Sequence, residues 1–288
     1  MYNEIQTKNI LINDVDITYY CAGQEGGDAV MLLHGAGVDS ATLSWREVIT
    51  LLAVKYRVIA PDLPGYGKSG RIDGEYSLKF YTDIVKKLIE ALSDKPVILA
   101  GLSLGGGITL NMALNYPSLL KAIIPVDAWG LFEKLPYHRL TYYFTHSKIN
   151  DNAYAWTNKQ SLIKWSLKYN LFGDKNKISD ALSDEISKAM REPDAGWPFI
   201  SFQRSEITPK GLNTNLFARL DEINLPTLLI HGSKDKAVPF KDAIAASKII
   251  PDCELYVMQG CRHWPQKERP EEFAEAVISY LDKKFGNP

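Results

Sequence analysis

The 288-residue sequence predicts an α/β fold, a mostly parallel, doubly wound sheet of about eight strands with an inserted helical subdomain. Three observations predict it. Short β-branched runs alternate with longer stretches of helical period. Phe80, Ile84, Leu88 and Leu92 recur every four positions, as do Phe273, Val277 and Leu281, so each set forms one apolar helix face suited to covering a sheet. The alternation then stops between residues 128 and 219, where 15 of the chain's 31 aromatic residues fall.

In chain order, Ile10-Leu11-Ile12 and Asp16-Ile17-Thr18-Tyr19-Tyr20 predict an opening hairpin. Further strands are expected at Ala29 to Leu33, Tyr56 to Ala60, Pro96 to Ala100, Lys121 to Val126, Pro226 to Ile230 and Glu254 to Met258. A C-terminal helix opens at Pro270, a residue that suits the first helical turn. The domain reading is a core made of residues 1–127 and 220–288, with 128–219 as a helical insertion. In that insertion Trp129, Phe132, Tyr137, Tyr142, Tyr143, Phe144, Trp156 and Trp165 read first as a small core of their own, since large aromatics dominate core burial. Some of them are placed to line a pocket as well.

With 33 basic and 34 acidic residues and no run of like charge, the balance points to neither nucleic acid nor an anionic membrane. A small-molecule substrate is the expected partner, for a monomer or homodimer. The stretch Met1-Tyr2-Asn3-Glu4-Ile5-Gln6-Thr7-Lys8 carries no apolar signal segment, and no later apolar run is long enough to span a bilayer. Three cysteines, none in a C-x-x-C pair, suit a reducing compartment, so the expected location is cytoplasmic. Cys253 and Cys261 bracket an expected strand and cannot bridge while it is extended.

The chemistry concentrates at Gly101-Leu102-Ser103-Leu104-Gly105, which follows a buried strand and precedes a helix. Such a serine sits on a strained corner, with small neighbours that let the turn tighten and the helix pack closely. A helix opening at Leu104 aims unpaired N–H groups and its positive end at an anion near Ser103. Serine needs a histidine base and an orienting carboxylate, in the order Ser, Asp, His for this arrangement. Asp235 lies just past one strand and His263 just past the last, and strand C-termini gather on one edge of a parallel sheet. Asp127, also at a strand end, is the alternative acid. His34-Gly35-Ala36-Gly37 supplies a turn whose Ala36 N–H, with that of Leu104, is placed to hold a developing oxyanion, Gly37 being the fallback. His34 and His231 read as structural, and His138 and His146 as histidines without partners.

Gly67-Lys68-Ser69 resembles the tail of a phosphate-binding loop, but Asp62 stands where that loop needs glycine. Metal-ligating residue types do not cluster along the chain, so no metal and no cofactor is expected.

His34-Gly35-Ala36-Gly37, Asp62-Leu63-Pro64-Gly65-Tyr66-Gly67-Lys68-Ser69, the serine turn, Gly232-Ser233-Lys234-Asp235 and the His263 loop together resemble the α/β-hydrolase superfamily over nearly the whole chain. The resemblance implies a Ser103-His263-Asp235 triad beneath an inserted helical cap, with backbone oxyanion donors at Ala36 and Leu104. It ranks hydrolysis of a small, largely apolar carboxylic ester or lactone first and carbon–carbon bond hydrolysis second. His263-Trp264-Pro265-Gln266 is similar to the His-Trp segment of hydrolases that cleave ring-fission dienoates, which makes Trp264 a candidate substrate contact beside Trp129. Those enzymes usually have asparagine where this chain has Leu102. The cap arginine they place on the substrate carboxylate corresponds to Arg191 or Arg204. A third reading, from another class, is a small-molecule receptor that keeps the triad.

Overall fold

The computed structural model describes residues 4–135 and 137–286; Met1, Tyr2 and Asn3 of the N-terminal stretch lie outside them. Among the described residues one sheet holds eight strands: β1 (Gln6–Ile12), β2 (Val15–Ala22), β3 (Ala29–Leu33), β4 (Arg57–Pro61), β5 (Val97–Leu102), β6 (Leu120–Val126), β7 (Thr227–Gly232) and β8 (Cys253–Met258). Their spatial order is β1-β2-β4-β3-β5-β6-β7-β8. Only β2 runs against both its neighbours, and every pair from β4 to β8 is parallel. The β1–β2 hairpin turns on Asn13 and Asp14, both at positive φ, as a tight two-residue turn demands.

The helices are α1 (Ala41–Leu52), α2 (Leu78–Leu92), α3 (Leu104–Asn115), α4 (His138–Thr145), α5 (Lys148–Thr157), α6 (Gln160–Ser166), α7 (Asp180–Ala189), α8 (Trp197–Glu206), α9 (Phe240–Ile249), α10 (Pro265–Glu268) and α11 (Pro270–Phe285). Alternation along β3 shows the double winding: Val30 and Leu32 enter the apolar layer shared with α1 and α11, while Met31 and Leu33 enter the layer shared with α2 and α3. The stripe on α2 is centred differently from the four-residue reading. Tyr81, Val85, Leu88 and Ile89 are buried, while Phe80 and Leu92 sit at its margin. A helix turns 3.6 residues per revolution, so a strict spacing of four drifts off the face.

Helices α4 to α8 all lie between β6 and β7. The expectation that the aromatics of this segment build its core is corrected. Tyr137, Tyr143, Phe144, Trp156 and Trp165 are exposed, and of the eight named only Phe132 is fully buried. The buried interior here is aliphatic and phenylalanine-rich: Ile163, Leu167, Phe172, Leu182 and Ile186 join the core layer that contains α1 and α11. The three cysteines are free. No helix among the described residues is long and apolar enough to cross a membrane.

Candidate active site

Parallel pairing of β5, β6, β7 and β8 brings four chain segments to one sheet edge. Ser103 directly follows β5 at φ 52° and ψ −109°, a region that residues with side chains rarely occupy. The corner is held from both sides: its N–H donates to Val126 O at 2.9 Å, and its C=O accepts the N–H groups of Gly107 and Trp129 at 2.9 Å each. The glycines around it are required by space. A Cβ on Gly101 would meet Gly105 O at 2.2 Å, and one on Gly105 would meet Leu33 O at 2.5 Å. The Ser103 hydroxyl makes no capping bond to α3 and is left free for chemistry.

His263 is buried, and its Nδ1 lies 2.7 Å from Asp235 Oδ2. Asp235 is itself anchored, since its Oδ1 accepts the N–H groups of Ala237 at 2.7 Å and Val238 at 3.2 Å. Burial pulls the imidazole pKa down, but the Asp235 carboxylate more than offsets this and carries His263 up to about 9. Desolvation raises the Asp235 carboxyl, and the adjacent His263 outweighs it, holding Asp235 below the usual carboxylate range.

The turn after β3 is pinned at both ends. His34 accepts the Leu63 N–H at Nε2 (2.9 Å), so its Nδ1 carries the proton and donates to Gly35 O at 2.7 Å. Burial depresses His34 to about 4, which keeps it neutral and agrees with that tautomer. The Asp39 carboxylate accepts the N–H groups of Gly35 and Ser40, each at 2.8 Å, and the Ser44 hydroxyl. Asp39 escaped the sequence reading; its signal was an aspartate two residues beyond Gly37 with a serine one helical turn further on. Asp39→Ala should free this turn, orphan the Gly35 N–H and cost about 2 kcal/mol, lowering Tm by a few degrees. Thermal melting checks the first effect, and a fall in kcat beyond what the lost stability explains checks that the turn serves the reaction.

Two cavities meet at Ser103. The larger, about 460 Å³, lies under Leu162, Trp165, Leu171, Met190 and Phe199, with Trp264 at its side. The smaller, about 310 Å³, is bounded by Trp129, Phe202, Gln203 and Val238, with Leu104 at its floor. Ala36, Ser103, Phe199 and His263 line both, so the hydroxyl and the imidazole stand at the junction. Gly37 borders only the larger. Trp129 and Trp264 thus reach the site as expected from the sequence, and Trp165 lines the larger cavity while remaining 56 % exposed.

The two arginines do not. Arg204 pairs with Asp151 and donates to Thr145 O at 3.1 Å, and Arg191 donates to Ser187 Oγ at 2.8 Å; neither lines either of these two cavities. Helix spacing explains the miss. Ser187 lies one helical turn before Arg191 at the end of α7, whereas the Arg204–Asp151 contact depends on how α5 and α8 pack. His138 and His146 are corrected as well: His138 Nε2 meets Thr208 O at 2.7 Å and His146 Nδ1 meets Tyr142 O at 2.9 Å.

The reading that ligand types do not cluster is also overturned. Asp127, His231 and Asp235, all buried, bring one ligand-type atom each to within 4.8 Å of one another. Asp127 is far in the chain from His231 and Asp235 and stands beside them because β6 and β7 pair Val126 with Ile230, which sets residue 127 beside residue 231. Asp127 makes no hydrogen bond to His263; Asp235 does.

A family model described as the alpha/beta hydrolase fold matches residues 28–270. The chain is 29 % identical over 278 residues to the 2-hydroxy-6-oxo-6-(2'-aminophenyl)hexa-2,4-dienoic acid hydrolase of Metapseudomonas resinovorans, covering 94 % of this chain and 89 % of that protein. It is 28 % identical to the 2-hydroxymuconate semialdehyde hydrolase of Pseudomonas sp. (strain CF600), covering 88 % and 87 %. Among solved structures, the meta-cleavage product hydrolase from Pseudomonas fluorescens IP01 superposes with a TM-score of 0.81 at 25 % identity, covering 96 % of this chain and 98 % of that one.

Proposed function

We propose, starting from the membership of this chain in the α/β-hydrolase fold family, that it is a serine hydrolase that cleaves a carbon–carbon bond beside a ketone in a conjugated oxo-dienoate. The observation that carries the reading is a serine and a carboxylate-paired histidine at the junction of two cavities, in a chain similar along its length to hydrolases named for such substrates. These relatives favour the carbon–carbon reading over the ester or lactone reading that the sequence ranked first.

In this proposal Ser103, Asp235 and His263 form the triad, and the helical segment 128–219 acts as its cap. His263 takes the proton of the Ser103 Oγ as it attacks, and later of the water that releases the acyl group, while Asp235 holds the ring and stabilises its charged form. The N–H groups of Ala36 and Leu104 stabilise the oxyanion that forms on the substrate carbonyl. For the pair to have somewhere to go, the dienol first loses its hydroxyl proton and gains one on the carbon beside the ketone, which becomes sp3; the bond from that carbon to the former ketone carbon then breaks, its electron pair passing into the conjugated 2-oxo-3-ene, and the resulting dienolate takes up the proton His263 holds. Water supplies the hydroxyl that leaves the former ketone carbon as a carboxylic acid. The two arms of the substrate occupy the two cavities.

One observation favours an uncharged ester or lactone as a second reading: among the described residues no lysine or arginine lines either cavity, leaving a dienoate carboxylate without a cation. The two readings separate on a pair of substrates with matched arms, a 6-aryl-2-hydroxy-6-oxohexa-2,4-dienoate and the neutral aryl ester of similar size. The dienoate is expected to show the higher kcat/KM, and Ser103→Ala to process neither. An ester preferred by tenfold or more would sink the carbon–carbon assignment and leave the serine mechanism standing.

A further inference from the structure

Behind the His263–Asp235 pair lies a second carboxyl–imidazole pair, Asp127 and His231, with no side-chain exposure at either residue. Asp127 directly follows β6 with φ 42°, held there by its N–H donating to Ile230 O at 3.1 Å. Its Oδ1 accepts the Gly232 N–H at 2.9 Å, while its Oδ2 and the facing His231 Nδ1 are both buried with no hydrogen bond satisfied. His231 Nε2 lies 3.2 Å from Val238 O, and a carbonyl only accepts, so this nitrogen carries the proton. In the neutral ring Nδ1 is then a bare acceptor. Yet His231 Nδ1 stands 3.2 Å from Asp127 Oδ1, another acceptor if Asp127 is ionised. Two facing acceptors in a dry interior repel unless a proton lies between them.

We propose that Asp127 and His231 together hold one buried proton, so that Asp235 is the single negative charge behind His263 and Asp127 is a positioning residue for it. The distribution of donors favours this placement of the charge. Asp235 receives two backbone N–H groups and His263, whereas Asp127 receives one N–H. The groups that face Asp127 are His231 from β7, Asp235 from the loop after it, and Cys261 and His263 from the segment after β8. No lysine or arginine is among them. Two adjacent buried carboxyls do not both ionise at modest cost, and desolvation followed by the Asp235 charge raises Asp127 well above the ordinary carboxylate range. Burial likewise lowers His231 to about 4, so the shared proton resides on the carboxyl.

The inference rests on the triad reading for its catalytic meaning, but its main readout does not depend on turnover. Infrared spectra of the protein labelled with isotopic aspartate, recorded well above pH 7 where Asp39 is ionised, should show a carboxylic-acid C=O stretch that disappears in Asp127→Asn. Selective labelling excludes the raised Glu206. Asparagine is a neutral isostere of the protonated acid, so Asp127→Asn should keep the apparent pKa of the kcat/KM profile and lose less than about threefold in kcat. Asp127→Ala, which orphans the Gly232 N–H and removes the carboxyl facing His231 Nδ1, should lose about tenfold. Rescue by asparagine thus separates a proton holder from a charge. A profile that shifts down by a pKa unit or more in Asp127→Asn would mean that Asp127 is ionised and would overturn the proposal. So would the absence of the band in the wild type, a measurement available even if the variants do not fold, or a stoichiometric metal ion in the purified protein.

Discussion

Ser103→Ala should lower kcat on the order of 10⁵- to 10⁶-fold and abolish covalent labelling by a fluorophosphonate, while the protein melts at nearly the wild-type temperature. The size of the effect follows from the proposed role of the hydroxyl as the group that His263 activates; oxyanion donors and binding alone leave only a small residual rate. The lack of a stability cost follows from the structure. The Ser103 side chain caps nothing, and alanine tolerates the φ of 52° no worse than serine does. The corner is held by the backbone bonds to Val126, Gly107 and Trp129, which the substitution leaves in place. Peptide mapping should find the label on Ser103 in the wild type. Label on another serine, with folded protein, would sink the nucleophile assignment.

Asp235→Asn is expected to lower kcat about 10⁴-fold and to move the pH dependence in a defined direction. The base must be neutral to accept a proton, so kcat/KM rises with pH through the His263 ionisation in the free enzyme. In the wild type Asp235 lifts that ionisation above the ordinary histidine value, toward about 9, so activity falls as pH drops through that range. Asparagine removes the largest favourable charge and leaves desolvation, which disfavours imidazolium, opposed only by the weaker carboxyls nearby, Asp39 among them. The apparent pKa should therefore fall below the wild-type value, and the small remaining activity should extend to lower pH. A pH series of kcat/KM on both proteins, with folding checked by circular dichroism, decides it. An unchanged profile in the variant would show that the ionisation belongs to another group, or that the 2.7 Å contact is not made in solution.

The elements of the proposed triad were legible because each is written in local sequence. A tight strand-to-helix corner excludes a Cβ at Gly101 and Gly105, so glycine must stand there. Asp235 and His263 follow strands, and parallel strands deliver their C-terminal ends to one edge whatever their separation in the chain. Likewise the hairpin, the eight strands and the packing face of α11 follow from short-range periodicity, because each element buries its own side chains on one face.

What only the tertiary structure decided depends on which elements stand next to each other. The sequence favoured Asp235 and kept Asp127 as the alternative acid; it is the fold that gives His263 Nδ1 to Asp235 and turns Asp127 toward His231. That second pair exists because β6 and β7 run in register side by side, a fact with no trace in the hundred residues that separate them. The cavities follow the same logic. Arg191 and Arg204 were plausible by residue type, yet Arg191 turns back onto Ser187 one helical turn before it, α5 supplies Arg204 with Asp151, and helix packing points other side chains at Ser103. The aromatic wealth of residues 128–219 did not foretell burial either. Trp156 and Tyr143 face outward, because several short helices laid over a sheet edge have too little interior to enclose so many large rings. Periodicity along one chain specifies which face of an element is apolar; it does not specify which partner that face meets, and the specificity of this site is decided by partners.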